Sequence, residues 1–245
     1  EQSPMGAYQW MIVVMAAIMN LLDGFDVLAL AFTATAIRGE FGLTGIELGY
    51  LLSAGLFGMT AGSLFLAPLA DKIGRRPLLL MAVSLSAIGM LGSAFISQYQ
   101  WLGFWRVITG LGVGGILVGT NVITSEYSSR KWRSFAISVY AAGFGIGAVL
   151  GGMFAVMLQG EYGWRSVFLA GAILTGLLLV ILFIWLPESI DFLTSKQPKN
   201  AEVRLNLIAK KIGLAGDWKL PEKAEKVKTK LPISQLFSEK YLHST

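Results

Sequence analysis

Six long apolar runs constrain the fold of this chain more than any other feature of its sequence. Each run approaches or exceeds the length of about 20 residues that an α-helix needs to cross the hydrocarbon core of a bilayer. The predicted spans cover residues 8–37, 47–70, 77–97, 101–125, 134–158 and 165–186. The sequence therefore predicts an all-α membrane protein with six transmembrane helices.

The composition agrees with this prediction and excludes several classes of protein. Of the 245 residues, 14% are charged and 54% are hydrophobic, whereas soluble domains carry about 25% charged residues. So few charges could not cover a water-facing surface, which excludes soluble enzymes, disordered proteins and nucleic-acid binders. We therefore attribute the net charge of +5 to loops at a membrane surface and predict no nucleic-acid partner.

The sequence offers few groups for catalysis or metal binding. It contains no cysteine, and its single histidine, His243, lies three residues from the end of the sequence. Thiolate metal sites, cysteine nucleophiles and a histidine-based dyad inside the membrane are therefore excluded. We predict no catalytic residue, no metal and no cofactor, and we expect that the protein is not an enzyme.

The distribution of basic residues predicts the orientation of the bundle. The turns after spans two and four carry six basic residues, whereas the connections on the other side carry only Arg38 and Arg165. The six are Lys72, Arg75, Arg76, Arg130, Lys131 and Arg133. Because lysine and arginine accumulate in cytoplasmic loops, we expect both ends of the chain to be cytoplasmic.

The chain divides by composition into two parts. Residues 1–190 form the predicted six-helix bundle, and residues 191–245 form a polar cytoplasmic linker. A short amphipathic helix is expected in the linker from Asn200, as its N-cap, to Ile212, with Gly213 as the stop signal. In the bundle, an acid is followed four residues later by arginine at Asp71 and again at Glu161. This weak echo suggests a 3+3 inverted repeat, which is common in transporters.

Three ionisable residues and one amide lie inside the apolar spans. Asp23 and Asp26 share one face of span one, and Arg106 lies about one turn inside span four. An intramembrane charge needs a partner or a wet cavity, so we expect contact between spans one and four. Burial and mutual repulsion favour protonation of one aspartate, which indicates proton coupling, and Arg106 could also bind a substrate carboxylate. The alternative is a structural salt bridge. Asn121 could bind either substrate or a neighbouring helix.

Several loop and span motifs resemble those of the major facilitator superfamily. The segment Leu-Ala-Asp-Lys-Ile-Gly-Arg-Arg at 69–76 resembles the signature between spans two and three, and Arg106 with the glycines after it resembles the span-four motif. Glu126 and Arg133 resemble the Glu-x₆-Arg pair at the foot of spans four and five. The resemblance implies a cytoplasmic latch formed by Asp71, Gly74, Arg75, Arg76, Glu126 and Arg133.

The sequence Asp-Gly-Phe-Asp at 23–26 resembles the signature of the aromatic acid:proton symporters within this superfamily. The resemblance implies proton-driven uptake of benzoate-like or muconate-like acids across a bacterial inner membrane, with Asp23, Asp26, Arg106 and Asn121 handling the proton and the substrate. It also implies that the chain is the N-terminal half of a 12-helix fold. The expected partners are protons, a small organic anion, the lipid bilayer and a C-terminal six-helix half.

Two other functions remain open at the level of the sequence. The same fold could carry another substrate, such as a sugar or a nicotinate-like molecule. The chain could instead be a six-helix membrane scaffold that transports nothing.

Overall fold

The structure is a computed structural model, and it describes residues 5–213 and 219–220. All regular elements in this part of the chain are helices. They are α1 (Ala7–Phe41), α2 (Gly45–Ile73), α3 (Arg75–Ala94), α4 (Tyr99–Tyr127), α5 (Arg133–Tyr162), α6 (Arg165–Trp185), α7 (Ile190–Lys196) and α8 (Ala201–Lys211). Helices α1 to α6 are long and apolar enough to cross a membrane, which confirms the predicted fold class.

The helix bounds agree with the predicted spans, and the largest differences are at the C-terminal ends of α1 and α5. Helix α1 continues to Phe41 instead of residue 37, and α5 continues to Tyr162 instead of residue 158. Each extension ends at a glycine with a positive φ, 63° at Gly42 and 78° at Gly163. Glycine adopts this conformation without the steric penalty of a side chain, so it stops the helix after the apolar run has ended.

The helices pair as two related sets of three. Helix α1 packs along α5, and α4 packs along α2, while α3 and α6 contact each other. These pairings are equivalent when α1, α2 and α3 are exchanged with α4, α5 and α6. The amide of Gln9, in the first turn of α1, donates to the carbonyl of Tyr127 at the end of α4 (2.7 Å). Helices α1 and α4 are therefore antiparallel, as expected for an inverted repeat.

The two ends of the bundle differ in charge. We call the end that carries the α2–α3 turn (74) and the α4–α5 turn (128–132) the basic end, because the basic residues of the sequence cluster there. The opposite end carries the α1–α2 and α5–α6 turns. There, the Arg165 guanidinium pairs with the Glu40 carboxylate at 2.8 Å and donates to the carbonyl of Ile96 (3.1 Å). These contacts join α1, α6 and the α3–α4 turn.

Glycines allow the paired helices to approach until their main chains touch. A Cβ at Gly24 would overlap the carbonyl of Phe144, and one at Gly147 would overlap the carbonyl of Leu21, both across the α1–α5 contact. On the equivalent α2–α4 contact, a Cβ at Gly58 would overlap the carbonyl of Val107. Small residues at such crossings are what allows membrane helices to pack closely.

The two short helices pack against the basic end of the bundle. Leu193, Ala201 and Ile208 are buried in the same apolar cluster as residues of α1, α4 and α6. Helix α8 and its end before Gly213 agree with the prediction. Asn200 occupies the predicted N-cap position, although it has a positive φ and its side chain forms no capping hydrogen bond. Helix α7 was not expected; the signal for it is Ser189, whose hydroxyl accepts from the N–H of Phe192 (3.1 Å).

The glycine contacts predict a clear difference between two alanine substitutions. Gly147→Ala places a methyl group against the carbonyl of Leu21, so we expect a loss of about 1–3 kcal/mol from overpacking. Gly176→Ala is the control, because its Cβ meets nothing within 4 Å. Thermal unfolding of the detergent-purified, full-length protein measures both. Equal melting temperatures for the two variants would contradict the proposed main-chain contact.

Candidate functional site

Arg106 connects helices α1 and α4 inside the apolar bundle. Its side chain is 3% exposed, and Nη2 donates to the main-chain carbonyl of Asp26 at 2.7 Å. Nη1 contacts Sδ of Met90 (3.5 Å), and Cζ lies 5.9 Å from the centroid of the Phe168 ring. The expected contact between spans one and four is therefore present. It runs through the carbonyl of Asp26, however, and the carboxylate of Asp26 forms no salt bridge with the guanidinium.

The Asp26 carboxylate has a different hydrogen-bond donor. The Ser86 hydroxyl, on α3, donates to Asp26 Oδ2 at 2.6 Å. Asp26 Oδ1 is buried and has no hydrogen-bond partner. The Arg106 charge is close enough to act on the carboxylate electrostatically. Helices α1, α3 and α4 thus meet around this one side chain, and a sequence search for charged residues could not find Ser86, because serine is common in apolar spans.

Asp23 lies one helical turn nearer the basic end, in a separate polar cluster. Its side chain is 2% exposed, Oδ2 is buried without a partner, and no described residue donates a hydrogen bond to it. Around it, Asn20 Nδ2 donates to the carbonyl of Tyr140 (2.8 Å). The hydroxyls of Thr120 and Tyr140 are 3.2 Å apart. The sequence analysis missed Asn20, Thr120 and Tyr140, although an asparagine three residues before Asp23 in an apolar run was a visible signal.

Asn121 lies outside both polar clusters. Its side chain is exposed on the surface of the bundle, whereas Arg106 is buried. Asn121 lies 15 positions after Arg106, slightly more than four helical turns, and the two side chains lie in different environments, one exposed and the other buried. Whether Asn121 contacts a substrate stays a prediction.

At the α2–α3 turn, residues of the predicted latch lie around a carboxylate from the segment that follows α6. Glu188 Oε1 accepts from the main-chain N–H groups of Arg75 (2.8 Å) and Arg76 (3.0 Å) at the start of α3. Free N–H groups and the helix dipole make a helix N-terminus favourable for a carboxylate. Gly74, with φ at 103°, lies so close that a Cβ there would contact this carboxylate. The Asp71 carboxylate pairs with Arg75 across the turn at 2.9 Å.

Glu126 does not pair with Arg133, contrary to the sequence-based expectation. Its carboxylate accepts from the Ser189 hydroxyl (2.8 Å) and from the N–H of Ile190 (2.8 Å), at the N-terminus of α7. The neighbouring Tyr127 hydroxyl donates to the carbonyl of Glu188 (2.6 Å). The helix N-terminus provides better aligned donors than the exposed Arg133 side chain. Glu188 and Ser189 thus bring the segment after α6 into contact with the predicted latch residues, and the sequence analysis did not include either of them among those residues.

The described residues contain no group of three or more histidine, cysteine, aspartate or glutamate side chains arranged to hold a metal ion. Within helices α1 to α6, the buried charged side chains are those of Asp23, Asp26 and Arg106, which lie on two helices. Such buried charges in membrane helices mark substrate or ion pathways.

Comparison with known families identifies the family of this chain. The sequence profile described as Major Facilitator Superfamily matches residues 16–242. The chain belongs to this superfamily. Its members are transporters, which confirms the predicted family and the prediction that the chain is not an enzyme.

Curated relatives from bacteria share about a third of the sequence. The chain is 34% identical over 245 residues to a gallate transporter of Pseudomonas putida, covering 100% of this chain and 55% of the relative. It is 34% identical over 225 residues to the 4-hydroxybenzoate transporter PcaK of the same organism, covering 91% and 50%. A cis,cis-muconate transport protein of Acinetobacter baylyi is 29% identical. The chain spans about half the length of these relatives.

Solved structures of the superfamily have the same fold. The structure of the proton:xylose symporter XylE with 6-bromo-6-deoxy-D-glucose matches with a TM-score of 0.75 and 23% identity, over 85% of this chain and 50% of that one. A bacterial homologue of the lysosomal transporter Spinster, inward-facing, matches with a TM-score of 0.68 and 21% identity, over 76% and 44%. At these identities the likeness concerns the fold alone.

The Glu188 contacts predict a local effect at the α2–α3 turn. Glu188→Gln removes the negative charge at the start of α3, which should destabilise the turn by about 1 kcal/mol and expose the bonds after Lys72 and Arg75. We expect faster tryptic cleavage there, detected by mass spectrometry of the full-length protein in detergent. Glu202→Gln, in the exposed first turn of α8, is the control. Unchanged cleavage in Glu188→Gln would contradict the latch.

Proposed function

We propose that this chain is the N-terminal half of a proton-coupled symporter that takes up aromatic carboxylates. The observation that carries the proposal is the group of buried charges formed by Asp23, Asp26 and Arg106 in a member of a transporter superfamily. The names of the relatives, which include gallate and 4-hydroxybenzoate transporters, support the substrate class. The proposed location is a bacterial inner membrane, with the basic end and both ends of the chain in the cytoplasm.

The electrostatics of the buried group supports coupling to protons. Each charge at the centre of a membrane helix costs about 2.5–3.5 kcal/mol on insertion scales. With both aspartates ionised, Arg106 leaves one negative charge uncompensated. Binding one proton neutralises the group, so proton binding and release change its charge by one unit. Arg106 is buried and bound to the carbonyl of Asp26, which favours charge compensation over direct binding of the anion in this state.

The remaining proposed parts of the transporter follow from the exposed surfaces. Helices α2 and α5 each present a row of exposed apolar side chains, including Phe57, Phe65, Leu150 and Met153. We assign these faces to the lipid bilayer and to a C-terminal six-helix half, because alternating access needs one half to move against the other. Residues 191–245 would form the cytoplasmic linker between the halves. The exposed Asn121 could then reach the substrate.

The latch at the basic end supports a role in gating. Asp71, Gly74, Arg75 and Arg76 form the α2–α3 turn, and Glu126 holds the start of α7. We propose that these contacts break and reform as the cytoplasmic side opens and closes. Arg133 is exposed and not paired with Glu126 in this state, so it is available to a partner in another state.

Uptake by the full-length protein tests the proposed transport. In energised cells we expect accumulation of labelled 4-hydroxybenzoate that an uncoupler abolishes, and Asp26→Asn should lose it, because the charges of Asp23 and Arg106 then balance without a bound proton. An excess of unlabelled benzoate, muconate, nicotinate or xylose identifies the substrate class by competition. Competition by xylose alone would favour a sugar transporter. Uptake that Asp26→Asn leaves unchanged would contradict the role of the buried charges.

Single-cysteine labelling tests the proposed orientation. The chain has no cysteine of its own, so each introduced thiol is the only one within it. Ile46→Cys, at the opposite end, should react with a membrane-impermeant maleimide in intact cells, since Ile46 is 72% exposed. Lys72→Cys, at the basic end, should react only after the cells are permeabilised. The reverse labelling pattern would show that the orientation is the opposite of the one proposed.

A further inference from the structure

A groove at the opposite end of the bundle lies outside the site described above. It is formed by α3, α5 and α6, has a volume of about 510 Å³ and is open on one side. This volume is within the range of about 300–1,000 Å³ that is usual for small-molecule sites. Because the groove is open, its occupant also contacts the surroundings of the bundle.

The lining of the groove changes from polar to apolar along the helix axis. Arg165 is the first residue of α6, and Ser166 and the exposed Tyr162 also line the groove at this end of the bundle. Ile173 follows Arg165 by eight residues, which places it about 12 Å deeper along α6. Leu158 lies one turn deeper than Tyr162 along α5. The groove therefore suits an amphiphile whose polar head is at the membrane surface and whose apolar chain points inward.

The face of α6 beside the groove has the character of a lipid-facing surface. The most apolar stretch of α6 has a mean hydropathy of 2.9, whereas the highest value in the other five spans is 2.0. Ile173, Leu177 and Ile184 are exposed along this helix, at 54%, 59% and 67%. A continuous exposed apolar surface of this kind marks contact with a membrane. The apolar part of the groove is thus placed to receive an acyl chain.

Arg165 provides a cation that is already fixed in position at the polar end of the groove. Its Cζ lies 4.3 Å from the centroid of the Trp164 ring, and Nη1 pairs with the Glu40 carboxylate at 2.8 Å. Nη2 donates to the carbonyl of Ile96 (3.1 Å). These contacts use only part of the five N–H donors of a guanidinium, and the side chain is 39% exposed. The remaining donors suit a phosphate oxygen, which arginine binds well.

The charges around the groove favour one kind of headgroup. At this end, the charged side chains on the described parts of α3, α5 and α6 are Arg165 and the exposed Glu161. Glu40, on α1, is the partner of Arg165. One cation and two acids leave no net positive charge, so a headgroup that is only negative finds little net attraction. A zwitterionic headgroup can place its phosphate at Arg165 and its ammonium near Glu161, which is electrostatically complementary.

We propose that this groove binds a zwitterionic phospholipid of the outer leaflet, with one acyl chain between α3, α5 and α6 and the phosphate at Arg165. The inference goes beyond the proposed transport and does not depend on it. Only the name of the leaflet uses the proposed orientation, in which the basic end is cytoplasmic. The bound lipid contacts all three helices, so it stabilises the bundle at the opposite end.

Native mass spectrometry of the full-length protein in detergent, titrated with dioleoylphosphatidylethanolamine, tests the phosphate contact. The matched variants are Arg165→Gln and Glu40→Gln, because both remove the ion pair but only the first removes the cation. We expect the wild type and Glu40→Gln to bind the first phospholipid with similar affinity. Arg165→Gln should bind it about tenfold more weakly, since a charge-assisted hydrogen bond is lost. Equal loss in both variants, or no loss in either, would refute the role of Arg165.

A second pair of variants tests the position of the acyl chain without changing any charge. Ala170→Phe fills the groove, whereas Ile181→Phe adds a ring to the exposed face of the same helix outside it. Added phospholipid should raise the melting temperature of the wild type and of Ile181→Phe, because a ligand of the folded state stabilises it. The rise should be lost in Ala170→Phe. An unchanged rise in Ala170→Phe would show that the lipid binds elsewhere.

Competition in the same mass spectra distinguishes a phospholipid from other ligands. Dioleoylphosphatidylglycerol, which is only negative, should bind more weakly than the zwitterionic lipid. An excess of glycerophosphoethanolamine, which has the headgroup but no chains, should not displace the lipid, and neither should 4-hydroxybenzoate. Displacement by the headgroup alone would show a simple anion site, and displacement by 4-hydroxybenzoate would show a site for aromatic acids. Tighter binding of phosphatidylglycerol would refute the preference for a zwitterion.

Discussion

The bond from Arg106 to the carbonyl of Asp26 is the interaction on which the interior of this bundle depends. It places a guanidinium in an apolar environment, 2.7 Å from the main chain of another helix. Such a charge is tolerated because the Asp26 carbonyl and Met90 Sδ accept from it and the Asp26 carboxylate lies near it as a counter-charge. Helices α1, α3 and α4 are joined at this point, and a change of charge there acts on all of them.

The apolar helix pairs around this centre are held by shape. Where α1 meets α5 and α2 meets α4, glycine brings main chain against main chain, as at Gly147 and Gly58. In lipid there is no hydrophobic gain from bringing two helices together, so close van der Waals packing takes its place. The charged centre and the glycine contacts therefore have different roles. The charged centre joins α1, α3 and α4, and the glycine contacts set the distance between α1 and α5 and between α2 and α4.

The helices and the family could be predicted from the sequence, because both depend on local patterns. Twenty-residue apolar runs give the spans, and the turn at 69–76 carries the family resemblance. The hydrogen-bond partners of the site residues were harder to predict. Glu126 was expected to pair with Arg133 but binds the start of α7, and Arg106 contacts the carbonyl of Asp26 and not its carboxylate. Main-chain groups accept and donate in these contacts, and their positions depend on the packed helices rather than on residue type.

The uncharged side chains of the buried clusters could not be predicted from the sequence either. Ser86, Thr120 and Tyr140 become part of the buried clusters only because three different helices bring them to α1. No spacing within one span reveals such a meeting. Asn20 was also missed, although an amide in an apolar run, one turn from an aspartate, was a visible signal.

The carboxylate of Glu188 has a mechanical consequence. It belongs to the segment that ends α6, and it is bonded directly to the first main-chain N–H groups of α3. The Arg76 guanidinium adds a second tie, to the carbonyl of Phe183 near the end of α6 (2.7 Å). Because α3 and α6 are also in contact along the bundle, a tilt of one helix tilts the other. While these bonds hold, the ends of the two helices at the basic end move together as one rigid unit.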